Sequence, residues 1–302
     1  LLKEIKNDYL KSKIQSQEWA EFYQTKKEQI LNLAEKISTE PESDFLPIEI
    51  EFKKNYGKKN INIELENGIT RLRIFNSLTK QFMSNKDLLM IGEDIEWMPA
   101  GTTKPYGGAF KVTGSLSRDF PGRVINSPIS ENSIIGLAIG RSLTGKNTIV
   151  EIMFSDFLSQ CLDQLIHQLS KIPSMYGDSV NLPFVLRTAS GPGNGYGPTH
   201  SHTLDNTLLN LPNLIIASIS PFSDYLGLLE YVRKENKPMV IYEPKSVYAF
   251  ELHSHIYDQY LTEFSEDIFE PTLITPKYSD PELTIIVIGY HTITILKCLK
   301  KL

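Results

Sequence analysis

Cysteine is nearly absent from this chain. Cys161 and Cys298 are its two thiols among 302 residues, too few for a disulfide framework and more in keeping with a reducing compartment. Cys161 falls in an apolar helical pattern and reads as a small core residue. Basic residues are in deficit. Thirty-one Lys and Arg face 36 Asp and Glu, a net charge of −5, which argues against a nucleic-acid partner. No apolar run reaches the length of a membrane span. The opening, Leu1-Leu2-Lys3-Glu4, has no signal-peptide pattern, and a cytoplasmic setting is expected. The glycine-rich loop Gly191-Pro192-Gly193-Asn194-Gly195-Tyr196-Gly197-Pro198 fails as a dinucleotide fingerprint, because Pro198 stands where G-x-G-x-x-G needs its last glycine.

What is present is a regular alternation. Strand candidates fall at 88–91, 123–126, 148–153, 184–188, 214–218 and 239–242, with helices after 131, 157, 203 and 224. Leu158, Cys161, Leu162, Leu165, Ile166 and Leu169 make one helical stripe. Thr70 is placed to cap a helix through about Phe82. Strands alternating with helices predict an α/β fold, a mostly parallel sheet with helices on both faces, over 70–250. A helical arm and linker are expected over 1–69, and an extended connector over 251–282. A strand over 283–288 and a helix from 292 then begin a second α/β domain within 251–302. One strand and one helix make no core of their own, so the chain reads as a piece of a longer polypeptide.

The residues able to carry chemistry converge on the strand ends, the ligand-facing edge of such sheets. Gly92-Glu93-Asp94 closes the first strand, and Ser127-Pro128-Ile129-Ser130-Glu131 joins the second to its helix. Met153 and Phe157 flank the end of the third, and the glycine loop after the fourth ends at Thr199-His200-Ser201-His202. Each has a plainer reading. Glu93 and Asp94 suit a loop or a cap. Glu131 suits the positive end of its helix, and Met153 and Phe157 suit a core. His200/His202 and His253/His255 have the two-residue spacing of metal ligands, but no Cys neighbours either pair and no carboxylate is near His200, which argues against zinc.

Taken together, residues from about 70 to 302 resemble the β subunit of thiamine-diphosphate-dependent 2-oxo-acid dehydrogenases of the pyruvate and branched-chain type. The resemblance runs through Gly92-Glu93-Asp94, Gly107-Gly108-Ala109-Phe110-Lys111-Val112-Thr113, Pro128-Ile129-Ser130-Glu131 and Glu151-Ile152-Met153 with Phe157. It continues through Arg187 before His200-Ser201, Ser220-Pro221, and Pro238-Met239-Val240-Ile241-Tyr242-Glu243. Residues 1–46 are similar to the tail of the family's α subunit, which implies an α–β fusion.

The resemblance implies a transketolase-like pyrimidine-binding domain. It also implies an oxidative decarboxylation of a 2-oxo acid with acyl transfer to a lipoyl group, active only with the α half. Glu131 matches the glutamate that hydrogen-bonds the cofactor's aminopyrimidine. Met153 and Phe157 match residues that shape and stack on it. Glu93 matches a second carboxylate, and His200 a proton donor to intermediates and the lipoyl group. Mg²⁺ ligands are expected on the α half, since the family's Gly-Asp-Gly motif is missing here and Gly177-Asp178 is followed by Ser and Val. No metal ligand is expected in this chain. Implied partners are the α subunit or half, in an α2β2 assembly or a dimer of fusions, and a lipoyl-bearing acyltransferase. Neither nucleic acid nor membrane is expected.

The chain departs from the family in an insertion at 96–104, a shortened 221–238 segment with Glu235 and Lys237 where relatives hold potassium, and a loop dense in Gly and Pro. The rival readings are a transketolase-like ketol-transfer enzyme and a non-catalytic tethering subunit. The lack of Lys or Arg between Thr188 and His202 speaks against the first, and the intact Glu131, Phe157 and His200 against the second.

Overall fold

The computed structural model describes residues 24, 25, 27, 28, 68–177, 179–192, 196–252, 260–263 and 267–299. The chain divides into two units, Leu1–Gly57 and Lys58–Leu302. In the first, residues 24, 25, 27 and 28 are helical; the rest of the expected 1–69 arm, apart from residues 68 and 69, lies outside the described residues, as do His253 and His255.

In the second unit, strand β1 (Gly68–Ile69) leads into helix α1 (Thr70–Ser84). Then come β2 (Leu89–Gly92), α2 (Leu116–Asp119), β3 (Val124–Asn126), α3 (Glu131–Ser142) and β4 (Thr148–Phe154). A 3₁₀ run (Ser155–Cys161), a π-helical run (Gln164–Leu169), α4 (Ile172–Met175) and β5 (Phe184–Ser190) follow. Next are α5 (Asp205–Leu208), β6 (Ile215–Ser218), α6 (Tyr225–Glu235), β7 (Met239–Pro244) and α7 (Lys245–Tyr248). The described part ends with β8 (Glu251–Leu252), β9 (Tyr260–Glu263), β10 (Leu273–Pro276) and α8 (His291–Leu299).

Six strands form one sheet in the order β3-β2-β4-β5-β7-β6, and every pairing in it is parallel. Alternate residues of each strand feed two cores. One, with Ile149, Val185 and Ile241, takes Ile74 and Leu78 of α1 and Leu228 and Val232 of α6. The other, with Val150, Leu186 and Val240, takes Ile134, Ile135 and Ala138 of α3 and Leu158, Cys161 and Leu165. Helices thus cover both faces, as the alternation predicts, and all six strands of this sheet coincide with the predicted ones to within two residues. β2 hands on to β3 at one side and β4 to β5 at the other. The order therefore reverses between β2 and β4, and in open α/β sheets ligands bind in the crevice outside the carboxyl ends of the strands at such a switch point.

Four local expectations change. Thr70 does not cap α1. It is the first helical residue, and its N–H and Oγ1 both donate to Phe250 O, at 3.0 and 3.1 Å. With the β1–β8 pairing, that contact ties the two ends of the α/β unit together. The helix after 157 is two runs of different pitch, and the one after 203 is a single four-residue turn. The segment 283–288 is not a strand. Leu283 and Ile286 are about three-quarters exposed, at 76% and 73%, and among the described residues no strand lies beside it to take its backbone hydrogen bonds. Residues 251–282 carry an antiparallel pair, β9 with β10. No helix among the described residues is long and apolar enough to cross a membrane.

Candidate functional site

Glu131 is the first residue of α3, five residues beyond the end of β3, and its preceding Ser130 is extended. The apolar residues 134, 135 and 138 that drive α3 into the core fix where this carboxylate stands. Glu93 follows β2. Gly92 is required there, because a Cβ on it would meet Glu151 O at 2.9 Å, Glu151 Cβ at 3.0 Å and Ile95 Cγ2 at 3.1 Å. The two glutamates share one electrostatic neighbourhood. Burial, then the charges of Glu131 and Asp94, raise the pKa of Glu93 above the ordinary carboxyl value, against a lowering pull from the Ser130 backbone N–H. Glu93 Oε1 is buried and has no hydrogen-bond partner among the described residues. Burial, with Glu131 adding to it, pushes the Cys161 thiol up to about 12, so Cys161 is an inert core thiol.

Met153 and Phe157 are both half-buried. Met153 is the extra residue of a bulge: Ile152 pairs with Thr188, while Phe154 pairs with the very next residue, Ala189. A bulge re-aims the side chains beyond it. Phe154 consequently shares a sheet face with Ala189 and joins Phe110, Phe157, Tyr196 and His200 in an aromatic cluster. Its ring centroid lies 5.4, 5.6, 5.9 and 4.6 Å from theirs, in that order. The His200 ring stands edge-on between Phe154 and Phe157, 5.3 Å from the latter, and Thr199 Oγ1 and His200 Nδ1 lie 2.8 Å apart.

The turn that carries His200 is held from two strands. Asp156 accepts the His202 N–H at 3.2 and 3.3 Å, and its Oδ1 lies 3.2 Å from His202 Nδ1. Ser155 Oγ donates to His202 O at 2.6 Å. From the end of β7, Lys245 Nζ donates to His200 O. The two histidines are therefore not set as a chelating pair: one faces rings and the other a carboxylate.

Two groups of residues are not singled out by the sequence. Lys245 puts a cation beside the loop that itself lacks Lys and Arg. A signal for it exists, since Lys245 lies three residues beyond the carboxyl end of the predicted strand 239–242. The other group is a buried charge network behind the crevice: Arg187 pairs with Glu151 and with Glu243, three residues that the sequence presents only in separate motifs. The insertion 96–104 is anchored rather than loose at its base. Asn126 Oδ1 accepts the N–H groups of Ile95 and Glu96 at 2.8 and 3.1 Å, and Tyr106 N–H donates to Trp97 O at 2.7 Å. Lys237 is exposed, and Glu235 pairs with Lys234 at 3.5 Å.

The chain can thus present two carboxylates, a bulged thioether, an aromatic wall and an imidazole along adjacent strand ends. Residues 70–251, more than half of the chain, match the family described as transketolase, pyrimidine binding domain. The match begins with α1 and ends in β8, the span closed by the Thr70–Phe250 contact. Similar curated proteins include the acetoin:2,6-dichlorophenolindophenol oxidoreductase subunit beta of Cupriavidus necator, 31% identical over 60% of this chain and 54% of that protein. The protein of that name from Bacillus subtilis is 33% identical over 54% and 49%. The pyruvate dehydrogenase E1 component subunit beta of Porphyra purpurea is 34% identical over 54% and 48%. The chain spans about half the length of the curated relatives it matches. Among solved structures, a split gene transketolase described as an inactive beta4 tetramer matches at a TM-score of 0.43 and 19% identity, over 59% of this chain and 52% of that one. On the family match over residues 70–251, the chain belongs to the transketolase pyrimidine-binding domain family.

Proposed function

We propose that this chain supplies the pyrimidine-binding half of a thiamine-diphosphate site in a 2-oxo-acid dehydrogenase, which decarboxylates a 2-oxo acid oxidatively and passes the acyl group to a lipoyl carrier. The observation that carries the reading is the pairing of Glu131, after β3, with Glu93, after β2, together with the buried Glu93 Oε1, which has no hydrogen-bond partner among the described residues. A buried polar atom without a partner is costly, and a planar, polar heterocycle lying in the crevice would give it one. The half-exposed Phe157 ring offers that heterocycle a face, and Met153, the bulge residue of β4, would add a polarizable thioether. The beta subunits of acetoin and pyruvate oxidoreductases among the relatives support the same reading.

Bound thiamine diphosphate supplies the electron sink that a 2-oxo acid needs when carbon dioxide leaves. Glu131 would hold a proton at the pyrimidine ring. Glu93, its proton affinity raised by burial and by its neighbours' charges, would carry a proton more readily than an exposed glutamate does. His200, edge-on to Phe154 and Phe157, would donate a proton to the reduced lipoyl sulfur as general acid. Mg²⁺ and the diphosphate would be held by an α subunit or α half, so the working form would pair this chain with such a partner and with a lipoyl-bearing acyltransferase.

The test is a calorimetric titration of thiamine diphosphate with Mg²⁺ into the complete protein, wild type and Phe157→Ala. Loss of one aromatic face is expected to weaken binding by roughly tenfold, by analogy with aromatic stacking worth ~1–3 kcal/mol. Equal affinities, or no binding by the wild type, would contradict the assignment.

A further inference from the structure

Lys245 is the one lysine among the described residues that is buried, 8% exposed. Its ammonium lies 5.2 Å from the ring centroids of both Phe154 and Tyr196, a distance at which a cation is attracted to an aromatic face. It donates to His200 O. Burial lowers its pKa, and the nearby Asp156 offsets part of that effect. Burying an ammonium is expensive unless it is well partnered, and a position walled by Phe154 and Tyr196 would be cheaper to fill with an apolar side chain. Fold stability alone therefore does not account for it.

We propose that Lys245 is a positioning residue for His200: its ammonium, walled by Phe154 and Tyr196, grips the His200 carbonyl and sets the imidazole edge-on between Phe154 and Phe157. The backbone of the turn is then fixed at both ends of the dipeptide step, by Lys245 at His200 O and by Ser155 and Asp156 at His202. With two rings against the imidazole and its carbonyl clamped, little freedom is left for rotation about the peptide. A donor held this way meets its acceptor without a search, and misplacement of such a group by about 1 Å costs on the order of a hundredfold. The inference rests on the reading of His200 as the proton donor to the lipoyl acceptor.

The experiment uses the complete protein with its partner and compares Lys245→Met, Lys245→Arg and His200→Ala. Lys245→Gln serves as a second neutral variant if the Met protein does not fold. Two quantities are read. One is the rate of acyl transfer to a lipoyl domain against turnover with 2,6-dichlorophenolindophenol. The other is the rate at which diethyl pyrocarbonate labels His200, followed by peptide mass spectrometry, with the exposed His167 as internal control. Lys245→Met is expected to slow lipoyl transfer by roughly 10- to 100-fold while turnover with the dye holds, and to raise His200 labelling severalfold with His167 unchanged. Lys245→Arg, which can keep the grip on the carbonyl, should restore both. If His200→Ala impairs transfer but neutral variants at 245 change neither transfer nor labelling, the positioning role is wrong and the reading of His200 stands. If His200→Ala leaves transfer intact, the reading of His200 falls first.

Discussion

Arg187 Nε donates to Glu243 Oε1 at 2.8 Å, joining neighbouring strands β5 and β7 in the interior of the protein. The same guanidinium also pairs with Glu151 of β4. Tyr225 and Tyr248 complete the shell, donating their hydroxyls to Glu243 at 2.6 and 2.7 Å. Two carboxylates share one cation, and all three side chains are buried. Glu151 has the poorer position: burial raises its pKa, with Glu243 adding to the effect and Arg187 opposing it.

Arg187→Met should therefore be severely destabilising, since it strands two buried carboxylates. Breaking a buried pair by removing one partner costs about 3–5 kcal/mol. Urea unfolding of the complete protein would read it, and a loss below about 1 kcal/mol would show the network to be energetically idle. Replacing Arg187, Glu151 and Glu243 together by apolar residues should cost much less than the single change.

Glu93 gives a prediction in pH. Its folded pKa is raised above the ordinary 4.5, so the folded state binds its proton more tightly than the unfolded chain does. Stability from this group is then present in full below that value and is lost as pH rises through the raised one. Glu93→Gln removes the ionisation but keeps an acceptor for the Ser130 N–H. The variant should melt higher than wild type at pH 7, with the gap closing as pH falls below about 4.5. A gap independent of pH would mean that neither burial nor the neighbouring charges raise the pKa of Glu93.

Gly92→Ala should distort the crevice. The added methyl would meet the Glu151 backbone oxygen at 2.9 Å as well as Glu151 Cβ and Ile95, and backbone cannot step aside cheaply. Overpacking of this kind costs about 1–3 kcal/mol. Thermal melting would show it, and a neutral result would mean that β2 and β4 separate without strain.

How much of this is legible in the sequence depends on the range of each signal. The strands of the parallel sheet and α3 are local patterns: Ile134, Ile135 and Ala138 repeat at helical spacing whatever surrounds them. Glu131, Glu93 and His200 stand out because each ends or follows such a pattern. The Met153 bulge is not legible, since a one-residue slip against β5 leaves no trace in β4's own alternation. Nor is the Arg187–Glu151–Glu243 network, in which Arg187 lies 36 and 56 residues from its two carboxylates and meets them only because β4, β5 and β7 are neighbours. The 283–288 segment misleads for the opposite reason: its apolar run is strand-like, but a strand exists only with a partner.

His200→Ala should slow acyl transfer to a lipoyl domain by roughly 100- to 10,000-fold, the usual worth of a general acid, and leave decarboxylation measured with an artificial electron acceptor close to wild type. Equal losses in both assays would assign His200 to cofactor binding or folding instead.

On the proposed function, Glu131 serves the pyrimidine of a bound cofactor. The most direct test of this role is hydrogen–deuterium exchange at the thiazolium carbon of thiamine diphosphate, followed by NMR after acid quench, in the complete protein carrying Glu131→Gln. The variant is expected to fold and to bind the cofactor but to exchange that proton far more slowly than wild type, with decarboxylation nearly abolished. Exchange as fast as in wild type, with cofactor bound, would contradict it.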